Sequence, residues 1–317
     1  MLLKIKNVIN NFLEKFNFIL FKKIFFLLSI SYFIYYLIFN DIEITFELDR
    51  KYNYAYLLLA FLSSIFSVIV NGFAWKNIII WFGENQKIDN LVSLYVLTNS
   101  LKYVPGGVWH FIERFNFLKN KINVNIASYA ILIEPYFMLS SSLILVSLGI
   151  FYNPLFLFFL LPSIFLHSEL IHLIIIKLES FKKKGMKILN INYAKSQFNL
   201  NVNIRSKFPL RIILIEILFI LLKFISFIFC LTIFFNGNNI DYLKILIIFC
   251  LSWSFGLIIP AAPGGLGVFE GTFLFLVGSS YPQSIVISSL LVFRFISSCS
   301  DLLLSAPFFA KKFFKGN

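Results

Sequence analysis

From Leu210 to Phe235 the chain reads LRIILIEILFILLKFISFIFCLTIFF, 26 residues carrying only three charges, Arg211, Glu216 and Lys223. About 20 apolar residues suffice for a helix to cross a bilayer. In hydrocarbon only helices and closed barrels satisfy every backbone N–H and C=O. Comparable runs occupy Ile24 to Phe39, Tyr54 to Phe73, Ile126 to Tyr152, Pro154 to Ile176 and Ser284 to Ala306. Composition points the same way: 59% hydrophobic and 14% charged residues, with a mean hydropathy of +0.85. Soluble domains average about 45 to 50% apolar and about 25% charged. The chain therefore reads as an all-α polytopic membrane protein.

The net charge of +13 does not indicate nucleic acid, because the lysines and arginines flank apolar runs instead of forming a basic surface with exposed aromatics. Cys230, Cys250 and Cys299 lie in separate apolar segments, and His167 and His172 are five apart with Glu169 between them, off the one-face spacing of a zinc helix. No metal or other cofactor is expected. The N-terminal run lacks a small-residue cleavage site and reads as a retained first span.

Two further apolar regions are interrupted: Leu91 to Leu118 around Val104-Pro105-Gly106-Gly107, and Tyr242 to Ser280 around Pro260-Ala261-Ala262-Pro263-Gly264-Gly265. Cytoplasmic loops hold an excess of Lys and Arg, which fixes the direction of each crossing. Lys4 to Lys23 lies inside, and the acidic loop with Asp41, Glu43, Glu47 and Asp49 lies outside. Lys76 and Lys87 are inside, as are Arg114, Lys119 and Lys121. The segment between Lys87 and Arg114 is too short for two crossings of about 20 residues each, so it is expected to be a re-entrant hairpin from the cytoplasm. The nine basic residues from Lys177 to Arg211 face one acid, Glu179, and mark a cytoplasmic linker. That linker is either an ordinary solvated loop or a segment lying on anionic lipid, where each basic residue contributes about 1 kcal/mol. The C-terminal Lys311, Lys312 and Lys315 are inside, so the second interrupted region starts and ends outside, as two spans or as a deep hairpin.

The two Pro-Gly-Gly motifs are 158 residues apart, and the same offset carries Tyr54 to Phe73 onto Ile212 to Leu231 and Ile126 to Gly149 onto Ser284 to Pro307. Opposite directions for the paired spans make the second copy inverted. Such repeats with broken helices are characteristic of transporters whose site lies near the midplane. The expected architecture is an inverted-repeat helical bundle with about six full spans and two broken or re-entrant hairpins. It forms a single membrane domain over residues 1–317, with a first repeat at 24–152, a second at 154–307 and the basic linker at 177–209.

A Pro-Gly-Gly break frees backbone groups that only protein or a wet cavity can satisfy, and the following helix start favours an anion such as phosphate or carboxylate. Ionisable residues at depth cost from about 2.5 kcal/mol upward and face the bundle interior. Glu134, Glu216, Lys223, Arg294 and Asp301 are such residues, while Glu113, Arg114 and Glu270 lie just past the breaks. Glu134 plus 158 falls two residues from Arg294, which suggests a pair between the two repeats. Glu216 and Lys223 are too far apart along one helix, about 10.5 Å, to bond each other.

The stretches NSLKYVPGGVWHFIER, LIEPYFML, IPAAPGGLGVFEG and VFRF resemble the transmembrane region of bacterial lysylphosphatidylglycerol synthetases and its stand-alone, flippase-like relatives. The resemblance implies translocation of a modified phospholipid or a lipid-linked intermediate between leaflets of the bacterial cytoplasmic membrane, with possible links to cell-envelope glycan or glycolipid enzymes; with helix starts that favour an anion, the expected cargo is an anionic phospholipid or lipid-linked intermediate. It carries over to Lys102, Pro105, Gly106, Gly107, Arg114, Pro263, Gly264, Gly265, Gly267 and Arg294 as substrate-binding positions. Glu113, Glu134 and Glu270 would gate or balance the charge. The sequence departs from the family pattern at Phe269, where a basic residue is frequent, and at Trp109-His110, where Gly-Glu often stands. No nucleophile, acid–base pair or metal cluster stands at catalytic spacing, and Lys315 is followed by two residues in place of a synthetase domain, so no enzymatic activity is expected. The alternative is a non-transporting scaffold, or a headgroup-modifying component, of envelope synthesis. Oligomeric state is not legible.

Overall fold

The computed structural model describes residues 52–83, 90–104, 108–171, 204–235, 240–259 and 263–314. The expected first span, Pro105-Gly106-Gly107 and most of the basic linker lie outside the described residues. Among the described residues the α-helices with both ends defined are, in order, α1 (Asn53–Trp81), α2 (Leu91–Thr98), α3 (Trp109–Leu118), α4 (Val124–Val146), α5 (Leu161–Ile164), α6 (Leu210–Phe234), α7 (Tyr242–Ile258), α8 (Val268–Val277) and α9 (Gln283–Phe314). Among the described residues there is no strand. Four of these segments are long and apolar enough to cross a membrane: α1, α4 with its 3-10 extension to Phe151, α6, and α9 as far as Pro307. The protein is a multi-span helical bundle integral to the membrane.

Membrane helices gain no hydrophobic drive from packing on one another, so small and polar residues mark the contact face. On α1 that face is Ala60, Ser64, Ser67, Asn71 and Gly72, all buried, while Leu58, Leu62, Phe66 and Phe73 are exposed to lipid. A Cβ at Gly72 would sit 3.0 Å from Val92 Cγ1, so the glycine lets α2 lie directly on α1. Ser226 Oγ donates to Ala60 O at 2.7 Å, which joins α1 to α6 along the same seam. Aromatic packing fills the other half, where Phe227 meets Phe273 edge-on with ring centroids 5.0 Å apart and Phe249 stacks on Trp253.

Both interrupted regions are broken as expected. The first runs through α2, a 3-10 turn at Asn99–Tyr103 and α3; the second runs through α7, a 3-10 turn at Pro263–Gly265 and α8. Pro154 to Ile176, by contrast, is not one continuous helix. Pro154–Leu160 is 3-10 and α5 is four residues long, with the chain turning after Ile164. Pro162, in the first turn of α5, has no N–H to donate back to Phe158, so the 3-10 stretch does not pass into a regular α-helix there. The Tyr136 hydroxyl on α4 donates to the Pro162 carbonyl at 2.6 Å and fixes the bend.

Candidate functional site

The sharpest local constraint comes from backbone conformation. Gly264, Gly265 and Gly267 have φ of 66°, 72° and 82°, a region glycine enters without a Cβ penalty. A Cβ on Gly264 would stand 2.9 Å from Tyr103 Cε1, and one on Gly265 would stand 3.3 Å from the Gly256 carbonyl oxygen. The glycines therefore admit the ring of Tyr103, from the 3-10 turn of the first hairpin, and the backbone of α7. The room that the sequence suggested for an anion is filled by protein at these two positions, and the two breaks touch.

The Gly264 and Gly265 carbonyls and the Gly267 N–H of the second break are satisfied internally. Arg294, on α9, donates from Nη1 to Gly264 O at 3.2 Å and from Nη2 to Gly265 O at 3.3 Å, and its Nε bonds the Glu270 carboxylate. Glu270 Oε2 in turn accepts from Gly267 N–H at 2.8 Å, the one half of a capping box that a glycine can make, at the start of α8. The anion that this helix start holds is its own glutamate. Phe269, where the family often has a basic residue, is buried with the Arg294 guanidinium 4.8 Å over its ring.

The first hairpin is tied by the same pair of residue types. Arg114 on α3 donates through Nη1 to both Glu134 oxygens at 3.0 Å, through Nε to Thr98 Oγ1 at 3.1 Å, and lies 3.7 Å over the Tyr95 ring. The expected Glu134–Arg294 pair across the two halves therefore does not form. Each arginine takes the carboxylate within its own half, where a short helix and the following long helix bring the two together.

Asp301, which sequence spacing did not single out as a site residue, gathers the first hairpin onto α9. Its oxygens accept from Asn99 Nδ2 at 2.8 Å, the Tyr103 hydroxyl at 2.7 Å and Lys102 Nζ at 2.9 Å. Lys223 extends the polar path into the bundle: its Nζ donates to Ser64 Oγ at 3.0 Å and Ser297 Oγ at 2.8 Å, and Ser64 bonds Ser300 at 2.7 Å. The buried carboxylate of Asp301, one residue from Ser300, is the signal that was present in the sequence, but its three partners lie some 200 positions away.

Accessibility separates the three expected cations. Arg114 has 0% of its side chain exposed, Arg294 15% and Lys102 27%. Lys102 precedes Tyr103 in the chain and Arg294 donates to Gly264 O, so both cations lie beside the Tyr103–Gly264 contact. Glu113 is half-buried on α3. Pro263 opens the 3-10 turn of the second break, whereas Pro105, Gly106 and Gly107 lie outside the described residues. Among the described residues no cluster of three or more His, Cys, Asp and Glu could hold a metal ion. The arrangement offers two partly open cations at the meeting point of two broken helices, backed by buried carboxylates.

No curated protein matches the chain. A family model described as the lysylphosphatidylglycerol synthase TM region matches residues 24–304. That span covers most of the 317 residues and takes in both breaks and both arginine–glutamate pairs, so the chain belongs to the lysylphosphatidylglycerol synthase TM region family.

Proposed function

We propose that the protein moves an anionic phospholipid, or an anionic lipid-linked intermediate, between the two leaflets. The observation that carries this reading is the contact of the two broken hairpins at Tyr103 and Gly264, with Lys102 and Arg294 partly exposed beside it. A headgroup phosphate would meet Lys102 first, draw it from Asp301, and exchange with Glu270 for Arg294, while its acyl chains stay in lipid. No covalent step is needed. Glu134 and Arg114 tie α3 to α4.

An inverted repeat fits this reading. Shifting α3 by 158 residues gives 267–276, one residue from α8, and shifting α4 gives 282–304, which overlies α9. With the cytoplasmic side set by the lysine-rich segments, the two breaks would enter from opposite faces of the bacterial cytoplasmic membrane and share one midplane site.

A second reading is favoured by one observation: every arginine and aspartate at the breaks is paired internally, as in a rigid scaffold for envelope-synthesis enzymes. Reconstitution separates the two. Vesicles holding the full chain and a fluorescent phosphatidylglycerol are expected to move the probe between leaflets, and Lys102→Ala and Arg294→Ala are each expected to slow it at least about tenfold, the loss of one charge-assisted contact. Probe movement equal to that of protein-free vesicles would sink the translocation reading and leave the scaffold.

A further inference from the structure

Two contacts fix the register of α1 against α6: Ser226 with Ala60 O, and Lys223 with Ser64. As α6 positions fall by three, α1 positions rise by four, so the helices run antiparallel, and position 216 comes level with about position 71. Glu216 is there, 0% exposed. Neither of its carboxyl oxygens has a hydrogen-bond partner. The buried Asn71 Oδ1 also lacks a donor, and Trp75 Nε1, one turn along the same face of α1, lacks an acceptor.

The neighbours of this group are few. From α4, Glu134 acts on Glu216 electrostatically; from α2, the Tyr95 phenol feels both carboxyls. Arg114 of α3 is the cation at this cluster and is bound to Glu134. The charged groups of α9, Arg294 and Asp301, act on Lys223, two turns along α6. Asp241 and Lys244 of α7 lie at the far end, beside Tyr281. On α1, Lys76 is five residues beyond Asn71, on a different face.

A carboxylate without a counter-charge in a dry interior is costly, and binding one proton neutralises it. The carboxylic acid gains an O–H, the donor that Asn71 Oδ1 lacks. Losing the proton sets a second negative charge against Glu134, the carboxylate that Arg114 grips, so the hold of α3 on α4 changes. We propose that Glu216 is a proton-binding site of the membrane interior, and that its loading and unloading is coupled to lipid movement through Glu134 and Arg114. The coupling rests on the translocation reading; proton binding does not.

Two measurements on the reconstituted full chain test this separately. Infrared difference spectra across a pH titration are expected to show a protonated-carboxyl C=O band that disappears in Glu216→Gln. The same band persisting in that variant overturns proton binding at Glu216. In vesicles, a one-unit pH gradient is expected to bias fluorescent phosphatidylglycerol between leaflets by up to about tenfold, the ratio equivalent to one proton per lipid. Glu216→Gln is expected to abolish the bias. A bias retained in Glu216→Gln, or driven in the native protein by a sodium gradient in place of the pH gradient, overturns the coupling. A native protein that moves no lipid at all defeats the translocation reading, and the infrared result then stands alone on proton binding.

Discussion

The two interrupted regions solve one problem with the charges exchanged. In the first, the arginine is on the short helix after the break and its glutamate on the following long helix: Arg114 of α3 with Glu134 of α4. In the second the glutamate is on the short helix and the arginine on the long one: Glu270 of α8 with Arg294 of α9. Either polarity clamps a short helix to the next span, and either places a guanidinium beside carbonyls that the interruption releases. Arg114 lies by Tyr95 O, 3.5 Å from Nη2, at the end of α2, and Arg294 by Gly264 O and Gly265 O. What differs is enclosure. The first pair is sealed between Tyr95 and Trp75, whereas the second retains an opening to the surface of the bundle. The sealed pair holds a hairpin in place, and the more open one is suited to exchange partners.

The largest effect that separates the halves is expected at the sealed pair. Arg114→Ala leaves Glu134 buried without its cation, at a cost of about 3 to 5 kcal/mol. Thermal unfolding in detergent should show a large drop, and Arg114→Ala with Glu134→Gln should recover part of it, since the orphaned charge is then gone. If the single variant unfolds like the native protein, the pair is not the clamp.

Arg294→Ala comes next, with a smaller stability loss of about 1.5 to 3 kcal/mol, because Glu270, buried like Glu134, keeps the Gly267 N–H and the place left by the partly open Arg294 admits water. Its lipid movement should fall more than its stability. A variant of Arg294 that loses stability as Arg114→Ala does and keeps full lipid movement would erase the functional distinction between the two pairs.

Gly264→Ala probes the meeting point itself. A left-handed φ of 66° costs an L-residue about 1 to 2 kcal/mol, and the Tyr103 ring stands in the way of the new Cβ. Combining Gly264→Ala with Tyr103→Ala should remove the clash but not the backbone strain, so stability should return only in part. Full recovery would mean that the ring contact alone requires glycine.

The smallest effect lies at the rim, where Asp241 caps α7. The Lys244 N–H, and then the Tyr152 hydroxyl, hold its carboxyl below the usual value of 3.8. With the folded value depressed, this contribution is complete above pH 3.8 and is lost as pH falls through the lower folded value. Asp241→Ala should therefore remove a small acid-sensitive part of the unfolding curve and leave both arginine–glutamate pairs intact.

Much of the architecture was legible from hydropathy and punctuation. The runs at 54–73, 126–152, 210–235 and 284–306 all became long helices, and separate short helices flank each Pro-Gly-Gly region. The stretch from Pro154 is not a continuous helix in its described part; apolar length alone does not reveal the 3-10 winding before Pro162 or the bend that Tyr136 anchors. The site was legible as an inventory: Lys102, Arg114, Glu134, Gly264, Gly265, Glu270 and Arg294 all stand at or near the breaks. Its pairing was not. Glu134 was matched to Arg294 by an offset along the chain, while the actual partners follow from which helices touch.

By itself the sequence determined that the chain enters the membrane, where its helices break and which residues there carry charge, because length, hydropathy and the missing N–H of proline act locally. Only the tertiary structure decided which carboxylate each arginine takes, that Tyr103 closes over Gly264, that Asp301 latches the first hairpin, and that Glu216 remains without a partner. Hydrogen bonds and ion pairs depend on ångström distances between helices far apart in the chain, and side-chain spacing along one helix does not contain those distances.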